Sequence, residues 1–353
     1  MLRRPTTPEH FLSSRPGGHP YMNIEDINFI RGCLPRGRTK FLTFKDQYAP
    51  TLLSWKIGDN RIPVSQLKSH PAFTHLSKKP IVQDLIKING GRDVSSETLN
   101  VWPNFKTVHA FRLTLDQWGD SLSANNYWNQ TSRRGHNLVL QLNFPKSHGS
   151  EYRKLGNDDS DPCGFIYDSH PVKTESEYTM AWSRIDLDLD AGVALIEEIQ
   201  NDWLREAKWL YQNLKNRIEA KKITPWNDWG DTYVRNILAY YETHIAPLES
   251  IWDEATLLAA LHLIRNELGI HRVYYHTWET GNWFKRIGNT YTPPKSIYTA
   301  LPRKFGFKKA STGPGFILRD KTNRRRLKAF YQGRQKHSWW YYDLSPVDEL
   351  QSN

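Results

Sequence analysis

The sequence predicts an α+β protein, a mixed β-sheet with helices packed against it, and three stretches carry that reading. Trp182 to Leu189 alternates, with Ile185, Leu187 and Leu189 against Arg184, Asp186 and Asp188. The turn residues Asp190, Ala191 and Gly192 then lead into the apolar run Val193 to Gln200, which is the pattern of a β-hairpin. Further on, Leu257, Leu258, Leu261, Ile264 and Leu268 form one apolar stripe at helical spacing, closed by Gly269, a residue suited to a left-handed helix terminus. Arg272 to Thr277 follows as a strand. Strand, helix and strand in that order predict neighbouring strands joined by a right-handed crossover.

The remaining elements are read in chain order. Residues 1–40 are rich in Pro, Gly and Arg and read as an extended arm, and Pro50, Pro63, Pro71 and Pro80 cut 41–100 into short elements. Strands are expected at 105–115 and 136–144, then a long polar loop over 145–177 with a short strand near Phe165 to Tyr167. After the hairpin, Trp203, Ala207, Leu210 and Leu214 mark a helix from 201 to about 220. A break rich in Trp (Pro225, Trp226, Trp229, Gly230) and a second helix over 232–243 come next. Ser250 and Asp253 resemble a capping box for the helix 250–268. Residues 294–304 form a helix containing Pro302, 307–318 supply a last strand or two, and 320–336 form a basic helix. This divides the chain into an N-terminal mixed region (1–170), an α/β core (171–318) with a helical insertion (201–249), and a basic, aromatic C-terminal segment (319–353).

Composition narrows the function classes. The 353 residues include 14 Trp, 17 Tyr and 14 Phe, enough aromatic surface to offset chain entropy. No stretch approaches the apolar length of a membrane span, and Met1 to Pro20 lacks the apolar run of a secretory signal, so a cytoplasmic protein is expected. Cys33 and Cys163 give neither a disulfide framework nor a thiolate metal site. The net charge of +11 is concentrated: 303–337 holds twelve Lys/Arg and the single acid Asp320, and 1–80 holds thirteen Lys/Arg against five acids. Such asymmetry calls for a polyanion, nucleic acid first and phosphates of the coenzyme A type second, or else is a solvated basic face. Phe330, Tyr331, Trp339, Trp340, Tyr341 and Tyr342 fit a stacking surface for unpaired bases. They fit equally well a segment docking its rings into the core.

Glu197 and Glu198 lie inside an apolar strand, where adjacent residues face opposite ways, so one carboxylate approaches the core. A buried carboxylate either becomes a general base or pairs with a cation at the sheet end. Asp186, Asp188 and Asp190 recur at period two and read as the solvated face of an edge strand and its turn, rather than a hard-metal site. The thirteen His show no metal-ligand spacing, and the phosphate-loop, nucleophile-elbow and dinucleotide motifs are absent from the sequence.

Ala181 to Trp203 (AWSRIDLDLDAGVALIEEIQNDW) resembles the "LFIEEIQSDW" block of the large polyvalent-protein-associated domains of phages and mobile elements. Glu198, Gln200, Asp202 and Trp203 match it, while Asn201 replaces the usual Ser. Pro247 to Gly281 and Ser296 to Lys309 resemble two further segments of the same family, in the family's order. The resemblance covers about 180–310 and implies a protein of DNA that enters a new host. The order of elements also resembles the second half of an N-acetyltransferase (GNAT) fold. It departs from that fold in lacking the Gly-rich pyrophosphate loop after strand 193–200 and in carrying Pro302 where the acyltransferase Tyr is expected, with Tyr298 one turn earlier.

Two readings follow. In the first, a GNAT-like acyltransferase modifies nucleic acid or protein. Glu198 is its general base, Tyr298 protonates the leaving thiolate, and Asp202 and Gln200 complete the catalytic set. Backbone N–H groups beyond the strand polarise the acyl carbonyl, and Arg303, Lys304 and Lys308 hold the phosphates of an acyl-CoA. In the second, a non-catalytic nucleic-acid-binding or host-takeover protein uses Arg319, Lys321, Arg324, Arg325, Arg326 and Lys328 on the phosphate backbone.

Overall fold

The computed structural model describes residues 21–34, 39–100, 107–119, 129–156, 161–173, 177–220, 231–287, 293–332 and 339–347. In chain order these form α1 (Ile24–Cys33), β1 (Lys40–Thr43), α2 (Tyr48–Ile57), β2 (Arg61–Pro63), α3 (Val64–Ser69), α4 (Thr74–Ser77), α5 (Pro80–Ile88), β3 (Asp93–Ser95), α6 (Ser96–Leu99), β4 (His109–Trp118), β5 (Asn137–Asn143) and α7 (Lys146–Arg153). They continue with β6 (Thr179–Asp188), β7 (Val193–Gln200), α8 (Trp203–Glu219), α9 (Asp231–Tyr240), α10 (Trp252–His262), β8 (Arg272–His276), α11 (Trp278–Lys285), α12 (Lys295–Phe305), β9 (Lys308–Ala310), α13 (Gly315–Arg319), α14 (Lys321–Tyr331) and β10 (Trp339–Asp343). The expected α+β class with one mixed sheet is what the chain adopts.

Eight strands pair in the order β1-β4-β5-β6-β7-β8-β10-β9, and β2 and β3 form a separate ribbon. All pairings in the large sheet are antiparallel except β7 with β8, which run parallel from Val193 beside Arg272 to Ile196 beside Tyr275. The neighbours expected from the strand–helix–strand order are therefore found. The sheet takes β1, β4 and β5 from residues 1–170, β6 to β9 from 171–318 and β10 from 319–353, so one sheet unites the three stretches read from the sequence.

The main core lies on one sheet face, where Ala194, Ile196, Ile199, Val273, Tyr275, Trp340 and Tyr342 meet α10, α12 and the short N-terminal helices. A smaller core on the opposite face joins Val193, Leu195 and Trp339 to Phe284, Phe316, Ile317 and Leu327, so α11, α13 and α14 cover it. Alternation along the strands assigns the two faces.

Several local expectations are corrected. The arm at 1–40 contains helix α1, whose N-cap Asn23 forms a reciprocal capping box with Asp26; residues 1–20 lie outside the described residues. The loop at 145–177 contains α7, and Phe165 to Tyr167 is irregular rather than a strand. The Trp-rich break at 221–230 lies outside the described residues. Helix α10 has Ile251 at its N-cap with no side-chain cap, so Ser250 and Asp253 form no box. It runs on as a π-helical turn, Leu263–Glu267, before Gly269 reverses the chain at φ +66°. The region 307–318 supplies only β9, followed by α13.

Strand β6 is central, not an edge. Arg184 and Asp186 are each 1% exposed, because β5 and β7 flank the strand and layers cover both faces. Asp186 is held by Arg133 in a two-pronged bridge, Nε to Oδ2 at 2.7 Å and Nη2 to Oδ1 at 2.8 Å, while Asp188 pairs with Arg319.

Candidate functional site

A cluster of buried charged and polar side chains lies where β7 outruns its parallel partner. β8 ends at His276, and its pairing with β7 runs as far as Ile196. On the other side of β7, Glu198 sits opposite Arg184 and Ile196 opposite Ile185, so Glu197 is an extra, bulged residue. A bulge breaks the alternation of facing. This corrects the expectation that only one of the two carboxylates approaches the core: Glu197 is 0% exposed and Glu198 6%.

Helix α11 follows β8 at once, opened by a capping box of Thr277 and Thr280, and it carries Lys285 into the gap. Lys285 Nζ lies 3.5 Å from Glu198 Oε2 and donates to the Glu197 carbonyl at 3.4 Å and to the Tyr298 hydroxyl at 3.2 Å. Arg184 binds Glu198 from the β6 side and donates to the carbonyls of Asn129 (2.9 Å) and Gln130 (3.1 Å). Burial works against ionisation of Glu198, but Lys285 and Arg184 outweigh it and hold the carboxyl below its usual range. Burial lowers Lys285 in spite of Glu198, and raises Tyr298 far above an ordinary phenol.

Glu197 makes a second cluster. Ser132 donates to it from its backbone N–H (3.1 Å) and its hydroxyl (2.8 Å), and His276 Nε2 lies 3.2 Å from Glu197 Oε2 and 2.8 Å from Ser132 Oγ. Burial opposes the charge on Glu197, yet His276, Arg184 and Lys285 bring its carboxyl down to about 2. The trio of Ser, His and Glu has the composition of a nucleophilic triad but not its geometry. Serine and carboxylate share the same ring nitrogen, whereas a triad places them on opposite ones. His276 Nδ1 instead meets Thr280 Oγ1 at 3.2 Å.

Only the far end of the strand reaches solvent. Asp202, 3% exposed, lies 2.7 Å from His170 Nδ1 and accepts from Gln200 Nε2 (2.8 Å), Arg205 Nη2 (3.0 Å) and Trp182 Nε1 (3.4 Å). Tyr167 stacks on His170 with centroids 5.3 Å apart, and the Arg205 guanidinium lies 5.5 Å from the Tyr167 ring. Burial raises Asp202, but the His170 hydrogen bond and charge, with Gln200 and Arg205, bring it below the usual range. Trp203 turns the other way, into a knot with Phe144, Tyr152, Phe165 and Tyr178, its Nε1 donating to Tyr240 Oη at 3.0 Å.

The residues expected at one site thus divide. Glu198 and Tyr298 meet through Lys285, while Gln200 donates directly to Asp202, with His170 beside both. Sequence reasoning missed Ser132, His170, Arg184, His276 and Lys285 as partners; their only signal was the need of two strand acids for cations. The expected phosphate ligands are dispersed: Lys304 pairs with Glu254 and Asp46, while Arg303 and Lys308 are exposed. At the start of α8 the Asn201 side chain already accepts the Leu204 N–H, and Asp202 stands beside it. A carboxylate at a helix N-terminus repels the anion that the site would have to hold. These residues do not fit an acyl-CoA.

The basic segment is better formed. On α14 the residues Asn323, Leu327 and Phe330 are buried, and Lys321, Arg324, Arg325 and Lys328 are exposed. At about 100° per residue these four fall within an arc of about 100°, opposite the buried face. Arg326 turns inward and donates to the carbonyls of Trp283 (2.6 Å) and Phe284 (2.9 Å), and Arg319 pairs with Asp188. Of the aromatics beyond it, Trp339, Trp340 and Tyr342 are buried in the sheet and only Tyr341 is half-exposed. Among the described residues no helix is long and apolar enough to cross a membrane. Compared with known proteins, the chain matches no family model, no curated protein and no solved structure.

Proposed function

We propose that this chain is a nucleic-acid-binding protein of the kind carried by phages and mobile elements, gripping the sugar–phosphate backbone with the exposed face of α14. The observation behind this reading is the stripe of Lys321, Arg324, Arg325 and Lys328, four cations on one side of a helix whose other side is buried. A stripe spanning about 10 Å of helix presents its charge to a continuous polyanion. The parallel β7–β8 pair, with β10 set between β8 and β9, supports kinship with the acyltransferase-like sheet. The filled gap argues for the binding reading over the catalytic one. Lys285 fills the gap beyond the end of β8 and donates to the Glu197 carbonyl, and Glu198 is held between two cations.

The test is binding of a labelled duplex, followed by fluorescence anisotropy over a range of salt. Four phosphate contacts give a slope of log affinity against log salt near about −3 to −4. Changing Lys321, Arg324, Arg325 and Lys328 together to Gln should flatten it, and weaken duplexes of different sequence equally, because phosphate contacts carry no base information. An unchanged slope would reduce the stripe to a solvated surface.

A further inference from the structure

We propose that the open part of the sheet face beside α14 is a stacking platform for the bases of single-stranded nucleic acid, built on Tyr274 and Tyr341. The proposal rests on the reading that α14 holds the phosphate backbone, and it names the strand state of the ligand.

Strand register places the platform. Tyr341 of β10 lies opposite Tyr274 of β8 on one side and Lys308 of β9 on the other. In the same cross-strand row, Leu195 of β7 lies beside Tyr274. All four point to the face that α11, α13 and α14 cover elsewhere, because Leu195 and Trp339 on that face belong to the smaller core. The cover stops within this row. Leu195 is buried, Tyr274 and Tyr341 are half-exposed, and Lys308 is exposed. Trp339, two residues before Tyr341 on the same face, is 0% exposed.

The two tyrosine rings lie 5.0 Å apart at 52° to each other, so they present two differently tilted surfaces rather than one closed stack. Burial raises both phenols further above their ordinary value, so both rings are neutral aromatic surfaces at working pH, as an unshifted phenol would also be. Arg272 is exposed two residues from Tyr274 on the same side of β8. Opposite it stands Asp343, whose carboxylate accepts from the Ser345 N–H at 2.8 Å. The platform and the basic helix flank the same core: Tyr274 and Tyr331, the last residue of α14, both pack at the rim of the smaller core, and the Tyr331 hydroxyl donates to the Ser311 carbonyl just past β9. The helix that carries the stripe and the tyrosine row thus border one core.

Aromatic rings on a sheet face, flanked by cations, suit a strand whose bases can splay out. A duplex keeps its bases stacked inside and offers such rings nothing. An apolar protein partner would meet aliphatic side chains, where this face offers two phenols, a lysine and an arginine.

The experiment compares a labelled twelve-nucleotide oligothymidylate with a labelled duplex of the same length, by anisotropy at low salt. Tyr274→Ala and Tyr341→Ala should each weaken the single strand by roughly tenfold and leave the duplex unchanged. Tyr274→Phe and Tyr341→Phe should bind as the unsubstituted chain does, because stacking needs the ring and not the hydroxyl. Circular dichroism and thermal melting check that each variant is folded. If Tyr274→Ala fails that check, Tyr341→Ala carries the test. Folded alanine variants with undiminished single-strand binding would overturn the platform. Equal weakening of duplex and single strand would overturn it too. If the fourfold α14 variant still weakens both ligands in that case, the backbone-binding reading survives. If the unsubstituted chain binds neither ligand, both readings fall.

Discussion

At Glu198 two cations from different elements close on one carboxylate, Arg184 from β6 and Lys285 from α11. With Glu197 beside them, the four formal charges cancel in a space closed to water. Removing one partner leaves a cation uncompensated, and breaking a buried pair costs about 3–5 kcal/mol. Glu198→Gln is therefore expected to lower the unfolding free energy, measured by urea titration, by an amount of that order. The loss should be much smaller in a chain that already carries Lys285→Met, where the balance is restored; a double-mutant cycle by urea unfolding measures this. Equal losses in both backgrounds would separate Glu198 from Lys285. The sequence marks Glu197 and Glu198 as acids inside a strand, and from that a need for partners follows. It cannot identify Lys285, which is adjacent only because β8 stops short and α11 begins immediately.

Helix α14 is an element in which basic residues do opposite work. Lys321, Arg324, Arg325 and Lys328 face solvent, whereas Arg326 ties the helix to the last carbonyls of α11 and lies over the Phe284 ring at 5.4 Å. Hydrogen bonds from a charged group are worth about 1.5–3 kcal/mol. Arg326→Ala should accordingly destabilise the chain by that order in urea unfolding, and leave the salt slope of binding in the folded protein unchanged. A flattened slope with undiminished stability would place Arg326 on the nucleic acid instead. A sequence shows the density of Arg and Lys here, while their division follows from helical phase against three buried residues. β6 teaches the same lesson in reverse. Its alternation of Arg184, Asp186 and Asp188 looks like a wet face, but layers cover both sides of this strand, and the period-two pattern encodes ion pairs that are buried at Arg184 and Asp186 and partly exposed at Asp188. The hairpin, the parallel neighbours and Gly269 were legible because each depends on local pattern or chain order alone.

Across the whole molecule, buried imidazoles set a dependence on acid. Burial lowers His148 to about 3, with the neighbouring His244 adding to the effect, and lowers His262 to about 4; it also lowers His276 despite Glu197. His148 is held neutral under the Tyr240 hydroxyl at 2.8 Å and stacked on Phe144. For such groups the unfolded chain takes up protons below its ordinary value of about 6.5 while the folded chain does not. Stability is therefore whole above that pH and falls as pH drops from about 6.5 toward 4, by about 1.4 kcal/mol per pH unit for each histidine. Glu197 adds a second window. Its folded value is depressed to about 2, so the stability it contributes is present above the ordinary carboxyl value of 4.5 and is lost as pH falls toward 2. Urea midpoints between pH 7 and 5 test the first window; a flat profile would mean that the buried rings are solvated on this timescale. His148→Phe should reduce the slope by the share of one proton.

The place of β10 in the sheet also governs the order in which the fold can be completed. β9 joins the sheet only through β10, and β10 lies between β9 and β8 although it follows both in the chain. During synthesis, β8 must wait with one edge open, and β9 has no neighbour at all, until Trp339 to Asp343 arrive and insert. An open edge is a template for pairing with another chain. The nascent protein is therefore most exposed to misassembly in the interval between making β8 and making β10.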